Sequence, residues 1–173
     1  RGVFNTKIAY TVQSGNGNKD IYTMDMDGFD PKPVTKNKSI NISANWSPDG
    51  SKIVFTSYMK GNPDLYSVTV GKKDYKRLTG GIGANITPKF SPDGSQIAFA
   101  SSVSGITNLY TIPAGGGKMR RLTTSNVIDV APTWTPDGGV IVFASERAGG
   151  LHIYKTSAGG GGVSRMTFVG YQN

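Results

Sequence analysis

The chain of 173 residues has no cysteine, which removes disulfides, thiolate metal sites and a cysteine nucleophile together. It has one histidine, His152, so a Ser-His-Asp triad would have to use it, and no G-x-S-x-G elbow accompanies it. No apolar run approaches the roughly 18 to 20 residues of a membrane span. No secretory leader opens the sequence, which begins RGVFNTKIAY, a start that fits a mature exported protein, a cytosolic one or a fragment equally. Acidic residues are sparse, 11 Asp plus Glu against 19 Lys plus Arg, and the net charge of +8 permits an acidic partner, a nucleic acid or an anionic surface. Helical periodicity is missing as well. What the chain does have is glycine, 24 residues of it, with 36% hydrophobic residues, the composition of a turn-rich all-β protein.

The turns recur. SPDGSKIVFTSY starts at Ser47, SPDGSQIAFASS at Ser91 and TPDGGVIVFASE at Thr135, each 44 residues after the last. Tyr22, Tyr66, Tyr110 and Tyr154 share this period, as do Thr35, Thr79, Thr123 and Thr167. Trp46, Phe90 and Trp134 precede the three turns in the same register. Three independent series with one period describe a tandem repeat of propeller-blade length.

One unit reads as four strands. NITPKF (85–90) is the first and SPDG (91–94) a tight turn in which Pro92 presets φ, Asp93 bonds local backbone and Gly94 supplies an unusual φ. SQIAFAS (95–101) is the second, continuously apolar as befits a strand covered on both faces. NLYTIPA (108–114) is the third and KMRRLTT (118–124) a more polar fourth. The expectation is an all-β propeller of four-stranded antiparallel blades, at approximately 1–41, 42–85, 86–129 and 130–173. In the first unit RGVFNT stands where an aromatic-SPDG strand belongs, and FVGYQN follows Thr167 without a new turn. Four blades lacking a closing strand would expose long edges, so the chain reads as part of a larger propeller.

Each candidate for chemistry has a plainer structural role. His152 occupies the slot held by Asp20, Asp64 and Asn108 in the other units, a structural position at the start of the third strand. Asp49, Asp93 and Asp137 read as turn residues rather than paired carboxylates. MDMDGFD (24–30) departs from the full calcium-loop pattern and suits a hairpin. The clusters GGG (115–117) and GGGG (159–162) precede no helix and read as loop tips, not phosphate cradles. The basic stretches KKDYKR (72–77) and KMRR (118–121) fall at outer strands, where lysine and arginine guard edges, and too few aromatics interleave them for a nucleic-acid surface. The sequons at Asn37, Asn41, Asn45 and Asn85 are short matches, and Asn45 lies in a first strand just before a buried aromatic. The reading is of a protein with no catalytic residues, no metal and no cofactor.

The opening RG-x-F-x-T-x-IAY, the aromatic-SPDG turns, the DLY and NLY third strands and the closing RMTFVGYQN resemble the TolB-type propellers of Gram-negative bacteria, in one register across nearly the whole chain. That resemblance implies a six-bladed propeller behind a smaller amino-terminal α/β domain, of which this chain holds the first four blades. It implies a periplasmic, non-enzymatic binding module of the Tol-Pal system, supporting envelope integrity and outer-membrane constriction at division. The implied main partner is the lipoprotein Pal at one mouth of the canal. TolA would be reached through the amino-terminal domain, and bacteriocin segments would use the same mouth. Matched segment by segment, the resemblance places partner contacts at Ala84, Asn85, Ile86 and Thr87 and at Val130 and Ala131, with Ser43 and Ala44 as repeat-equivalent neighbours. The alternative is the gating propeller of a prolyl oligopeptidase-like or tricorn-like peptidase, whose blades also carry SPDG.

Overall fold

The computed structural model describes residues 6–168, and every regular element among them is a strand. The first sheet is β1 (Lys7–Gln13), β2 (Lys19–Asp25) and β3 (Lys32–Pro33). The second runs β4 (Asn41–Trp46), β5 (Lys52–Lys60), β6 (Asn62–Thr69) and β7 (Lys76–Arg77). The third is β8 (Asn85–Phe90), β9 (Gln96–Ser101), β10 (Asn108–Pro113) and β11 (Arg120–Arg121). The fourth is β12 (Asp129–Trp134), β13 (Val140–Ser145), β14 (His152–Ser157) and β15 (Val163–Arg165). Each sheet is an antiparallel meander in chain order, the blade of a propeller. The outermost strands are shorter than the sequence suggests: KMRRLTT pairs only through Arg120 and Arg121, because the N–H of Leu122 turns to the carbonyl of Leu109 at 2.8 Å. The opening RGVFN (1–5) and the end VGYQN (169–173), which carry part of the resemblance, lie outside the described residues.

The apolar cores lie between the sheets. Ile21 and Val34 of the first blade pack with Ile53, Phe55, Tyr66 and Val68 of the second. Val54, Leu65 and Leu78 pack with Phe90, Ile97, Phe99, Tyr110 and Ile112 of the third. Ala98, Ala100, Leu109 and Leu122 pack with Ile141, Phe143 and Tyr154 of the fourth. Consecutive residues of a second strand therefore serve different cores, so Val54 and Phe55, or Ala98 and Phe99, are all fully buried. This is why the run is continuously apolar rather than alternating. The recurring tyrosine is the cross-strand partner of an aromatic one strand inward: Phe55 opposes Tyr66, Phe99 Tyr110 and Phe143 Tyr154, with ring centroids 6.0–6.1 Å apart. Such pairs contribute about 0.5–1.5 kcal/mol beyond their burial.

The recurring threonine closes each blade with a polar joint. Thr79 Oγ1 accepts the backbone N–H of Leu65 at 2.9 Å and donates to the carboxylate of Asp64 at 3.2 Å. Thr35 does the same with Ile21 and Asp20, and Thr123 with Leu109 and Asn108. The slot residue then reaches the next blade: Asn85 Nδ2–H donates to Asp64 at 3.1 Å and Asn41 Nδ2–H to Asp20 at 3.3 Å. His152 fills the fourth slot, within 2.9 Å of Arg165, and Thr167 still accepts the N–H of Ile153. Asn41 and Asn85 are buried in these joints, which leaves their sequons without an accessible acceptor.

At the opposite end of the strands sit the (S/T)PDG turns. Ser91 Oγ donates to Asp93 at 2.5 Å, the same carboxylate accepts the N–H of Ser95 at 3.0 Å, and Gly94 closes the turn at φ 71°. Asp49 and Asp137 repeat the arrangement. Successive turns touch: a Cβ at Gly94 would lie 3.4 Å from Pro48, and one at Gly138 3.6 Å from Pro92. The MDMDGFD loop is a hairpin turn in which Gly28, at φ 87°, donates its N–H to the carbonyl of Asp25.

Candidate binding mouth

Antiparallel pairing fixes which loops share a face. Asn85, at the start of β8, opposes Ser101 at the end of β9, and Ser101 opposes Asn108 at the start of β10. The loop into each first strand therefore neighbours the loop joining the second and third strands. In the third blade they are in contact: Ser102 Oγ accepts the N–H of Ala84 at 2.8 Å. Gly83 lies directly on the backbone of Ser102 and Val103, where an added Cβ would stand 2.9 Å from the Val103 nitrogen.

The innermost strands hold three of the five non-glycine residues with positive φ among the described residues. Between Ile42 and Asn45, Ile86 and Lys89, and Val130 and Thr133, three steps of the inner strand are matched by two of its neighbour, so each holds a β-bulge. The bulged residues Ser43, Thr87 and Ala131 have φ of 57°, 54° and 53°. For residues with a Cβ that conformation costs roughly 1–2 kcal/mol each. Strain of this kind, kept at the same place in three blades, is a feature of binding sites and ligand clamps.

The expected contact residues divide into two sets. Ser43, Ala44, Thr87 and Ala131 come together around one recess of about 250 Å³ between the innermost strands, with Pro88 and Lys89 beside them. The Thr87 hydroxyl is enclosed there without a hydrogen-bond partner. Asn85, Ile86 and Val130 turn elsewhere. Asn85 is buried in the polar joint, and Ile86 and Val130 pack against the core between the third and fourth blades. Ala84 is half-buried on the entry loop.

The loops at the same end of the blades expose apolar side chains. Ile82 is 87% exposed and Leu151 64%, and Ile128, Val103 and Ile106 are exposed as well. The signal available in the sequence is their setting: large aliphatics among Gly, Ser and Asn, in loops that vary from blade to blade. Beside them Asp129, fully buried, holds Arg147 at 2.7 Å. Burial pushes the Asp129 carboxyl up, but the hydrogen-bonded Arg147 guanidinium more than offsets it and holds it below the usual carboxylate range.

The TolB beta propeller domain matches residues 1–173, the whole chain. The chain belongs to the TolB β-propeller family. A stretch of 59 residues is 44% identical to the Tol-Pal system protein TolB of Desulfosudis oleivorans, covering 34% of this chain and 13% of that protein. TolB of Actinobacillus pleuropneumoniae is 41% identical over 58 residues, 34% of this chain and 14% of its own. Among solved structures, TolB from Acinetobacter baumannii is similar with a TM-score of 0.88 at 31% identity, over 98% of this chain and 43% of that one. The putative TolB from Agrobacterium tumefaciens gives 0.83 at 29%, over 92% and 60%. This TolB-type chain therefore spans less than two thirds of each of these relatives. A puromycin hydrolase gives a TM-score of 0.74 at 17% identity, a likeness of fold alone. Among the described residues of this TolB-type propeller, no helix is long and apolar enough to cross a membrane.

Proposed function

We propose that this propeller is a non-enzymatic protein-docking module of the Tol-Pal envelope system, seated in the periplasm, and that it takes the lipoprotein Pal at the mouth formed by the first-strand bulges. In this reading it supports outer-membrane integrity and constriction during division. TolA is engaged through an amino-terminal α/β domain, and bacteriocin segments enter by the same mouth. The observation that carries the reading is the convergence of Ser43, Thr87 and Ala131, strained and repeat-equivalent, on one recess, at the end of the blades whose loops expose Ile82, Ile128 and Leu151. A backbone already held in its bound shape lowers the ordering cost of association, and the aliphatic rim supplies apolar area to bury. Relatives named as Tol-Pal system proteins support the system, and the likeness to TolB structures over almost all of this chain supports the register.

The test is titration of the soluble Pal domain into the protein and into its Thr87→Trp variant. The indole fills the recess, and affinity should fall at least tenfold while circular dichroism keeps its native shape. Undiminished affinity in the folded variant would sink the mouth as the site. Failure of the unaltered protein to bind would remove the Pal partnership.

A further inference from the structure

The joints between blades follow a matching rule, and one of them inverts it. Between the first and second blades the slot residue is a carboxylate, Asp20, and the partner an amide, Asn41; between the second and third they are Asp64 and Asn85. Between the third and fourth the slot is the amide, Asn108, and the carboxylate is Asp129. Ser125 lies between this inverted pair, its N–H donating to Asn108 Oδ1 at 2.8 Å and its hydroxyl, which donates to the Val127 carbonyl at 2.5 Å, standing 3.1 Å from Asp129 Oδ2. The arginines follow the carboxylate. Arg77 meets Asp64 at 2.5 Å from its own blade's outer strand, whereas Arg121, 44 residues later, finds no acid in its slot and bonds the Thr123 carbonyl. The acid at 129 is met instead by Arg147, which stands where the second and third blades have Met59 and Val103.

Two facts give the exchange a consequence at the mouth. Asp129 lies two residues before the strained Ala131, as Asn41 and Asn85 lie two before Ser43 and Thr87. Arg147 belongs to the loop after β13, so its bridge spans the two mouth loops of the fourth blade, and it is held further by Ser145 Oγ at 3.2 Å and the face of Phe143. A fully buried carboxylate clamped by a partly exposed guanidinium fixes both loops together, as a charge-assisted, two-pronged bond does.

We infer that Asp129 and Arg147 are positioning residues for the fourth blade's share of the mouth, and that Asn108 is the residue that admits a carboxylate at 129. In the second blade an amide latch does the same work; in the fourth an ion pair does it. The inference rests on the docking role proposed above, and its test separates the two.

Three variants are compared with the unaltered protein: Asp129→Asn, Asn108→Asp, and the double change. Each is followed by hydrogen exchange at the amides of Val130, Ala131 and Thr133, by melting temperature, and by titration with the soluble Pal domain. Asp129→Asn leaves Arg147 without its acid, and exchange at the three amides should quicken with a roughly tenfold loss of Pal affinity. Asn108→Asp sets a second carboxylate against Asp129, with Arg121 and Arg147 as the cations facing the pair, and should lower the melting temperature. The double change rebuilds the joint between the second and third blades at this seam. The amide introduced at 129 donates to the carboxylate introduced at 108, and Arg121 meets that acid as Arg77 meets Asp64, so the melting temperature lost in Asn108→Asp should return, while Arg147 still lacks its acid and exchange and affinity should stay as in Asp129→Asn. A double variant that melts no higher than Asn108→Asp overturns the role given to Asn108, and unchanged exchange in Asp129→Asn overturns the positioning. If the unaltered protein binds no Pal, the docking role fails and the exchange comparison still decides the positioning.

Discussion

The side chain of Asn45 accepts the backbone N–H of Phe90 at 2.8 Å, from one innermost strand to the next. At the following seam the indole N–H of Trp134 donates to the carbonyl of Lys89 at 3.0 Å. Replacing Asn45 by Ala leaves the Phe90 N–H unpaired in a partly buried place and should cost about 1–3 kcal/mol. Urea denaturation checks this, and Asn45→Asp, which keeps the acceptor, should lose less.

Thr79 gives a sharper comparison, because one oxygen both accepts and donates inside a blade. Thr79→Ser keeps the oxygen and should stay close to the unaltered stability. Thr79→Val keeps the shape but orphans the Leu65 N–H, with an expected loss of about 1–3 kcal/mol by the same measurement.

Acid should weaken the turns. The hydroxyls of Ser47 and Ser91, with the N–H groups of Ser51 and Ser95, hold Asp49 and Asp93 at pKa values of about 2. Those folded-state values lie below the unfolded value of about 4, so the contribution is complete above about pH 4 and disappears as the pH falls through 2. In Asp49→Asn/Asp93→Asn the melting temperature should change less between about pH 4 and pH 2 than in the unaltered protein. An identical acid limb would refute the assignment.

Two glycines of one mouth loop should respond differently to alanine. Gly81, at φ 101°, has open space around it, so Gly81→Ala should cost only the roughly 1–2 kcal/mol of the backbone conformation. Gly83, at φ 96°, would drive its new Cβ against the Val103 nitrogen and the Ser102 carbonyl carbon, at 2.9 and 3.0 Å. Its loss should exceed that of Gly81→Ala by about 1–3 kcal/mol, and equal losses in thermal melts would contradict the contact.

The fold was legible because its determinants are local and periodic. SPDG announces its turn through residues that act on their own backbone, and the unbroken IVF and IAFA runs announce strands with two buried faces. The β-bulges were not legible. Ser43, Thr87 and Ala131 share neither residue type nor a glycine that would betray a positive φ, since the neighbouring strands enforce it. Segment matching named Thr87, which meets the recess, together with Asn85, which turns into the joint two residues earlier, and could not tell them apart. Nor does a lone Arg147 advertise its acid 18 residues back; that pairing needs the register of β12 against β13.

The contact of Pro48 with Gly94, and of Pro92 with Gly138, divides the molecule into two kinds of surface. On the turn side each glycine lies close to the proline of the turn before it, at a spacing that would admit one more carbon in ordinary contact. At the mouth end the blades are pinned by the polar joints, Asn41 to Asp20 and Asn85 to Asp64, so a change of partner falls to the loop tips beyond them rather than to the strand starts.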